Sequence, residues 1–193
     1  MARTGFRLAK YNLISGDKYA AVTEGVPVLN KVVDEKFAPE YNNAELYAND
    51  SLCESDYSFK KGTLSLTIAD DEDTLLATLF GDTKGETENA NEYTKNIEAT
   101  APYVGYGHII PKMVEGVRCY KVEFFPKVKF TKLTADNKTA GDTTEFATTS
   151  LEATVYPVDT LTGFNFGDWE KHQTFTTMSA AETYLDGLLT PTV

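Results

Sequence analysis

The stretch Val117–Phe130, VRCYKVEFFPKVKF, alternates apolar and charged residues and sets the fold class. Tyr120, Val122, Phe124, Val128 and Phe130 fall on even positions, whereas Lys121, Glu123, Lys127 and Lys129 fall on odd ones. A period of two describes a β-strand with one face in a core and the other in solvent or at a contact. Pro126 interrupts the run; lacking an amide proton, it points to an edge or a bulge near the middle.

The same period recurs on both sides of this strand. In TLSLTI, Leu64, Leu66 and Ile68 share one face and Thr63, Ser65 and Thr67 the other. Between Phe146 and Val158, Leu151, Ala153 and Val155 oppose Thr148, Ser150, Glu152 and Thr154. Tyr103–Lys112, YVGYGHIIPK, reads as a further strand, joined to the one from Val117 by a tight turn at Glu115-Gly116. Its Gly105 and Gly107 suit a backbone that bends or packs closely. Pro27–Tyr47 reads as a weaker strand region broken near Pro39 and Asn42-Asn43, with a hairpin tip or loop at Asn49-Asp50.

Two segments carry helical spacing. Asp70–Asp73 place carboxylates on an electropositive helix start; Leu75, Leu76, Leu79 and Phe80 form one apolar stripe, and Gly81 ends it. Ser179-Ala-Ala-Glu182 matches a capping box, followed by Tyr184, Leu185, Leu188 and Leu189, with Gly187 and Pro191 limiting the length. Long polar loops are expected near 82–101 and 135–145. The expectation is a single domain over 1–193, mainly β with a minor α component: an antiparallel β-sandwich or β-barrel with two short flanking α-helices.

Composition narrows the function. Eighteen basic against 29 acidic residues give a net charge of -11, the reverse of what a protein gripping phosphates needs. No apolar run reaches the length of a membrane span, and MARTGFRLAKYNLIS lacks the apolar core of a secretory signal. Two cysteines give no disulfide framework, in keeping with folding in a reducing cytoplasm.

The candidates for chemistry are weak. Cys53, His108, Cys119 and His172 offer zinc-type donors, but no two have the close spacing of a zinc motif. Asp70–Asp73 lack the alternation and central glycine of a calcium loop. Gly105-x-Gly107 lacks the third glycine of a dinucleotide fingerprint and the Lys-Ser/Thr of a P-loop. A Cys119–His108 nucleophile pair would place the thiol inside a regular strand, with nothing to activate it. Tyr103, Tyr106, Tyr120 and Phe130 fit a stacking platform less well than a core. The reading is no enzyme and no catalytic, cofactor or metal residues.

Several motifs in order resemble the major tail tube proteins of siphoviruses, phages with long non-contractile tails. They are ELYAND (Glu45–Asp50), TLSLTIAD before a Leu-rich helix, APYVGYGHI (Ala101–Ile109) and CYKVEFFPKVKF (Cys119–Phe130). TSLEATVYP, GDWEKHQTF (Gly167–Phe175) and a helix opening at Ser179 complete the series, which runs over residues 25 to 190. The resemblance implies a virion protein made in the host bacterial cytoplasm. It would assemble as hexameric rings that stack, through loops or arms, into a tube conducting genomic DNA into the host. The partners it implies are further copies, a tape measure protein, a tail terminator and distal tail proteins. DNA sliding through would meet an acidic or hydroxyl lining, for which Thr148, Ser150, Glu152 and Thr154, or Thr63, Ser65 and Thr67, are candidates. The region Tyr47–Tyr57 is the expected bridge between rings. The alternative is a monomeric carbohydrate-binding β-sandwich, which would be marked by exposed aromatics.

Overall fold

A computed structural model describes residues 5–48, 51–69, 72–85, 92–135 and 148–190, with backbone alone at 46–48 and 51–52. In chain order the strands are β1 (Arg7–Ser15), β2 (Lys18–Tyr19), β3 (Val28–Leu29), β4 (Val32–Ala48) and β5 (Ser51–Ile68). After helix α1 (Asp73–Phe80) come β6 (Thr83–Lys84), β7 (Tyr93–Thr94), β8 (Tyr103–Val114), β9 (Val117–Ala135), β10 (Thr149–Val155), β11 (Lys171–Phe175) and α2 (Met178–Leu189). All pairings are antiparallel, so the protein is mainly β with two short helices. The main sheet runs β2-β1-β8-β9-β10-β5-β4, with β11 also on β9 and β3 also on β1.

β8 and β9 form the wall on which everything else is hung. The Glu115-Gly116 turn joins them with both residues at positive φ (50° and 83°), so Val114 pairs directly with Val117. Pro126 marks a bulge. Between the Val104↔Val128 and Tyr106↔Phe125 pairs, β9 carries one residue more than β8. The added residue transposes the side-chain parity. Val122 and Phe124 therefore face one cluster, with Ile109, Leu185 and Leu189, whereas Phe125, Val128 and Phe130 face the other, with Leu64, Leu66, Val104 and Tyr106. The single core face expected for the even positions is thus divided between two cores on opposite sides of the sheet. β9 is also central rather than an edge, and the Pro126 carbonyl accepts a hydrogen bond from the buried Tyr19 hydroxyl (2.9 Å).

The glycines of YVGYGHIIPK are places of close approach. A Cβ on Gly105 would lie 2.5 Å from the Tyr19 ring, and one on Gly107 2.5 Å from Leu185 of α2. Helix α2 rests against the sheet there, burying Ala181, Leu185 and Leu189. Its N-cap is Thr177, whose hydroxyl accepts from the Ala180 amide (3.3 Å); Ser179 lies inside the first turn, and the helix runs through Gly187 to Leu189. The predicted capping box at Ser179 is therefore not formed: the cap lies two residues earlier, where the third residue on is Ala180. α1 ends at Gly81 in the left-handed conformation, as its sequence implies, and buries Leu75, Leu76, Ala77 and Leu79. Of the expected acidic helix start, 70–71 lie outside the described residues.

Three further expectations change. β4 is not broken at Pro39 or Asn42-Asn43; it is the last strand in the order, so Pro39 forfeits no ladder bond on its free edge. The segment 7–15 supplies β1, which pairs with β8 from Arg7↔Ile109 to Leu13↔Val104. The loop near 82–101 contains the small β6–β7 pair, while 86–91 and all but the first residue of 135–145 lie outside the described residues.

The sheet curls over the larger cluster until β4 returns against β8 and β9. Tyr106 donates to Glu35 (2.7 Å), and the rings of Phe37 and Phe125 lie 4.7 Å apart. This closure is made by side chains, and two features lie beside it.

Candidate functional site

The first feature is an arm. β5 pairs with β10 only from Gly62 to Ile68, whereas β4 and β5 stay paired out to Ala48↔Ser51. The nine residues Glu40–Ala48 therefore run with Ser51–Lys61 beyond the sheet, roughly 30 Å at about 3.3 Å per residue. Every described side chain from Glu40 to Glu45 and from Cys53 to Ser58 is exposed, on both faces. Tyr41 (51% exposed) and Tyr57 (62%) lie on the face that continues the core. A bulge between Glu40 and Tyr41 keeps Phe59 on that same face despite the added β5 residue. The result is a chain of rings along the arm root: Tyr41 against Phe59 (6.2 Å), Phe59 stacked on Trp169 (4.2 Å), Trp169 on Phe37 (5.9 Å), and Phe37 on Phe125.

The second feature is a polar cleft of about 600 Å³ beside that root, lined in part by Asp34, Glu35, His108, Lys121, Glu123 and Glu170. A second bulge places Glu35 there. Val32 pairs with Ile68 but Asp34 with Thr67, so Val33 is extruded and Glu35 and Phe37 turn inward. On the wall, His108 stands directly opposite Glu123 across the β8–β9 ladder. His108 is 1% exposed, with Nδ1 3.2 Å from Glu35 Oε1 and Nε2 3.4 Å from Glu123 Oε2. Phe6 stacks on the imidazole at 5.1 Å. The Nδ1 contact lacks hydrogen-bond alignment despite its distance, which leaves that buried nitrogen without a hydrogen-bond partner among the described residues.

The two carboxylates are driven apart. Burial pushes Glu35 above its ordinary value, outweighing the His108 charge and the Tyr106 hydrogen bond, and the Glu123 and Asp34 charges add to the rise. Burial also raises Glu123, but hydrogen bonds from His108 and Lys121, with their charges, prevail and bring it down to about 2. Burial, then the charge and hydrogen bond of Glu35, raise Tyr106 well above a free phenol.

The structure separates most residues the sequence singled out. Cys53 is exposed on the arm, while Cys119 is buried and pairs with Lys112, four ladder steps from His108. His172 pairs across β11–β9 with Glu123, is largely exposed, and contacts Glu170 at 3.2 Å. Among the described residues no group of three or more His, Cys, Asp and Glu side chains is arranged for a metal ion. Tyr106 and Phe130 are buried, Tyr120 is half-buried and Tyr103 is exposed, so the four form no platform. Sequence reasoning missed the His108–Glu35–Glu123 group. The pairing of His108 with Glu123 follows once the Glu115-Gly116 turn fixes the register, whereas nothing local announces Glu35. Among the described residues no helix is long and apolar enough to cross a membrane. A scan against protein-family models and a search of curated proteins return no match to this chain.

Proposed function

We propose that this chain is a structural subunit of a phage tail tube, assembling as hexameric rings whose stacking is completed by the β4–β5 arm. The observation that carries this reading is the arm itself. A two-stranded ribbon in water is marginal on its own, and this one presents to solvent two tyrosines and strand edges that have no third strand beside them among the described residues. Its rigid aromatic root holds it in a defined direction from the sheet. A ribbon built this way is completed by contacts with another subunit, and closed rings of heterologous contacts turn such edges into joints.

The polar faces proposed for the lumen support the same reading, because they are one surface. Thr63, Ser65 and Thr67 of β5 pair with Thr154, Glu152 and Ser150 of β10. Lys36 of β4 and Lys129 and Lys132 of β9 extend that register on either side, and Lys132 lies 3.9 Å from Glu152. This lining is mostly hydroxyl, with Glu152 offsetting Lys132 and Lys129 lying over the Tyr103 ring, so it offers a sliding phosphate backbone isolated lysines rather than a cluster of them. The conducted DNA and the tape measure protein, terminator and distal tail proteins belong to this proposal.

The test is electron microscopy of concentrated purified protein beside a variant in which residues 42–57 are replaced by a short turn. Hollow tubes or rings from the parent, and single rings or monomers from a folded variant, are the expected result. A parent that stays monomeric at every concentration overturns the reading.

A further inference from the structure

The cleft beside the arm root contains an unmet requirement for a donor. Nε2 of His108 gives its proton to Glu123, so in a neutral ring Nδ1 carries the lone pair. That nitrogen is buried, has no hydrogen-bond partner among the described residues, and faces Glu35 Oε1 at 3.2 Å. Two acceptors in contact inside a protein need a donor beside them. Asp34 and Glu170 add negative charge at the cleft, and Lys121 is engaged with Glu123. Phe6, Phe37 and Phe125 line it with aromatic surface, suited to an alkyl stem or a cation over a ring. The volume of about 600 Å³ far exceeds that of one water.

We propose that this cleft binds an organic cation, a guanidinium or primary ammonium on an alkyl stem, whose N–H groups bridge the Glu35 carboxylate and Nδ1 of His108. Directional N–H donors fit a carboxylate and an imidazole nitrogen side by side, and the ring faces fit the stem. Without the cation, a proton on Glu35 removes the negative charge of the pair, and burial, which raises that carboxyl, favours this state. Cation and proton therefore compete, and binding sends the Glu35 proton to solvent. The charged and titratable groups around the pair are Asp34 and Glu35 on β4, Tyr106 and His108 on β8, Lys121 and Glu123 on β9, Glu170 ahead of β11, and His172 on β11, opposite Glu123 and 3.2 Å from Glu170.

The test is titration of the protein, at several protein concentrations, with N-acetyl-arginine methylamide and with 1,5-diaminopentane, followed by NMR and calorimetry, with the uncharged citrulline analogue as control. Saturable shifts at His108 from at least one cation are expected, with affinity rising as pH rises and proton release in calorimetry. Glu35→Gln should weaken binding about tenfold or more, and Asp34→Asn, whose exposed site leaves the core intact, a few-fold. An apparent affinity that falls as protein concentration rises identifies a basic side chain of a second copy as the natural occupant. A constant affinity identifies a free cation, and either result supports the site. No saturable binding, equal binding of the citrulline analogue, or undiminished binding by Asp34→Asn and a folded Glu35→Gln overturns the proposal. Saturable binding by a protein that forms no rings supports the site, and absence of binding in one that forms rings overturns it, so the two readings fail separately.

Discussion

Replacing Glu123 by Gln removes one charge from the wall of the cleft and leaves its shape. In the folded chain the Glu123 carboxyl titrates at about 2, against an ordinary 4.5. A folded value below the unfolded one means stability that is fully present above the unfolded value and lost as pH falls toward 2. At about 1.36 kcal/mol per pH unit, the difference amounts to at most about 3 kcal/mol, reduced in practice because Lys121 and Glu123 retain some contact with water. Glu35 acts in the opposite sense: its raised value gives stability at low pH that is lost as pH rises through it. That contribution is largely common to both proteins and mostly cancels in their difference. Urea unfolding of parent and Glu123→Gln should therefore show a gap of up to about 3 kcal/mol at neutral pH, closing between about pH 4.5 and about pH 2. A gap that stays constant with pH, or widens in acid, refutes the ion-paired carboxylate as its source.

Two other substitutions probe how the wall is built. Tyr19→Phe removes the donor to the Pro126 carbonyl and leaves a buried acceptor at the bulge, so it should cost about 1–3 kcal/mol by denaturant unfolding. A loss near zero would show that the carbonyl finds another partner. Gly107→Ala places a Cβ 2.5 Å from Leu185 and 3.0 Å from the Phe124 ring, and should lower stability by about 1–3 kcal/mol through displacement of α2. Relief of that loss by a companion Leu185→Ala would confirm the contact; additive losses would refute it.

Much of the architecture is local and so legible in the chain. Alternation identifies β5 and β10 because each has one face in a core, and β9 because each half of it, on either side of its bulge, has one core face; Gly81 stops α1 because a left-handed residue is needed there. The Glu115-Gly116 turn sets the β8–β9 register, because a two-residue hairpin admits only one. β1 was missed: a register irregularity near Leu8 spoils its period, and much of its burial comes from β8, β3 and α2, which are distant in sequence. The unbroken β4 was missed because Pro39 is harmless only on a free edge, which requires the strand order.

The candidate site divides along the same line. The sequence by itself determined a mainly β protein of strongly negative charge, and the arm's hydroxyl, aromatic and acidic composition without a core pattern. Only the tertiary structure decided which faces look inward. Three bulges, at Val33, at Lys60 and beside Pro126, each shift side-chain parity by one, and a one-residue slip exchanges every inward side chain for an outward one. The slip at Val33 carries Glu35 inward, and the curl of the sheet brings it to His108, 73 residues further along the chain. Bulges and curl arise from the balance of contacts across the whole sheet, which no single stretch of sequence contains.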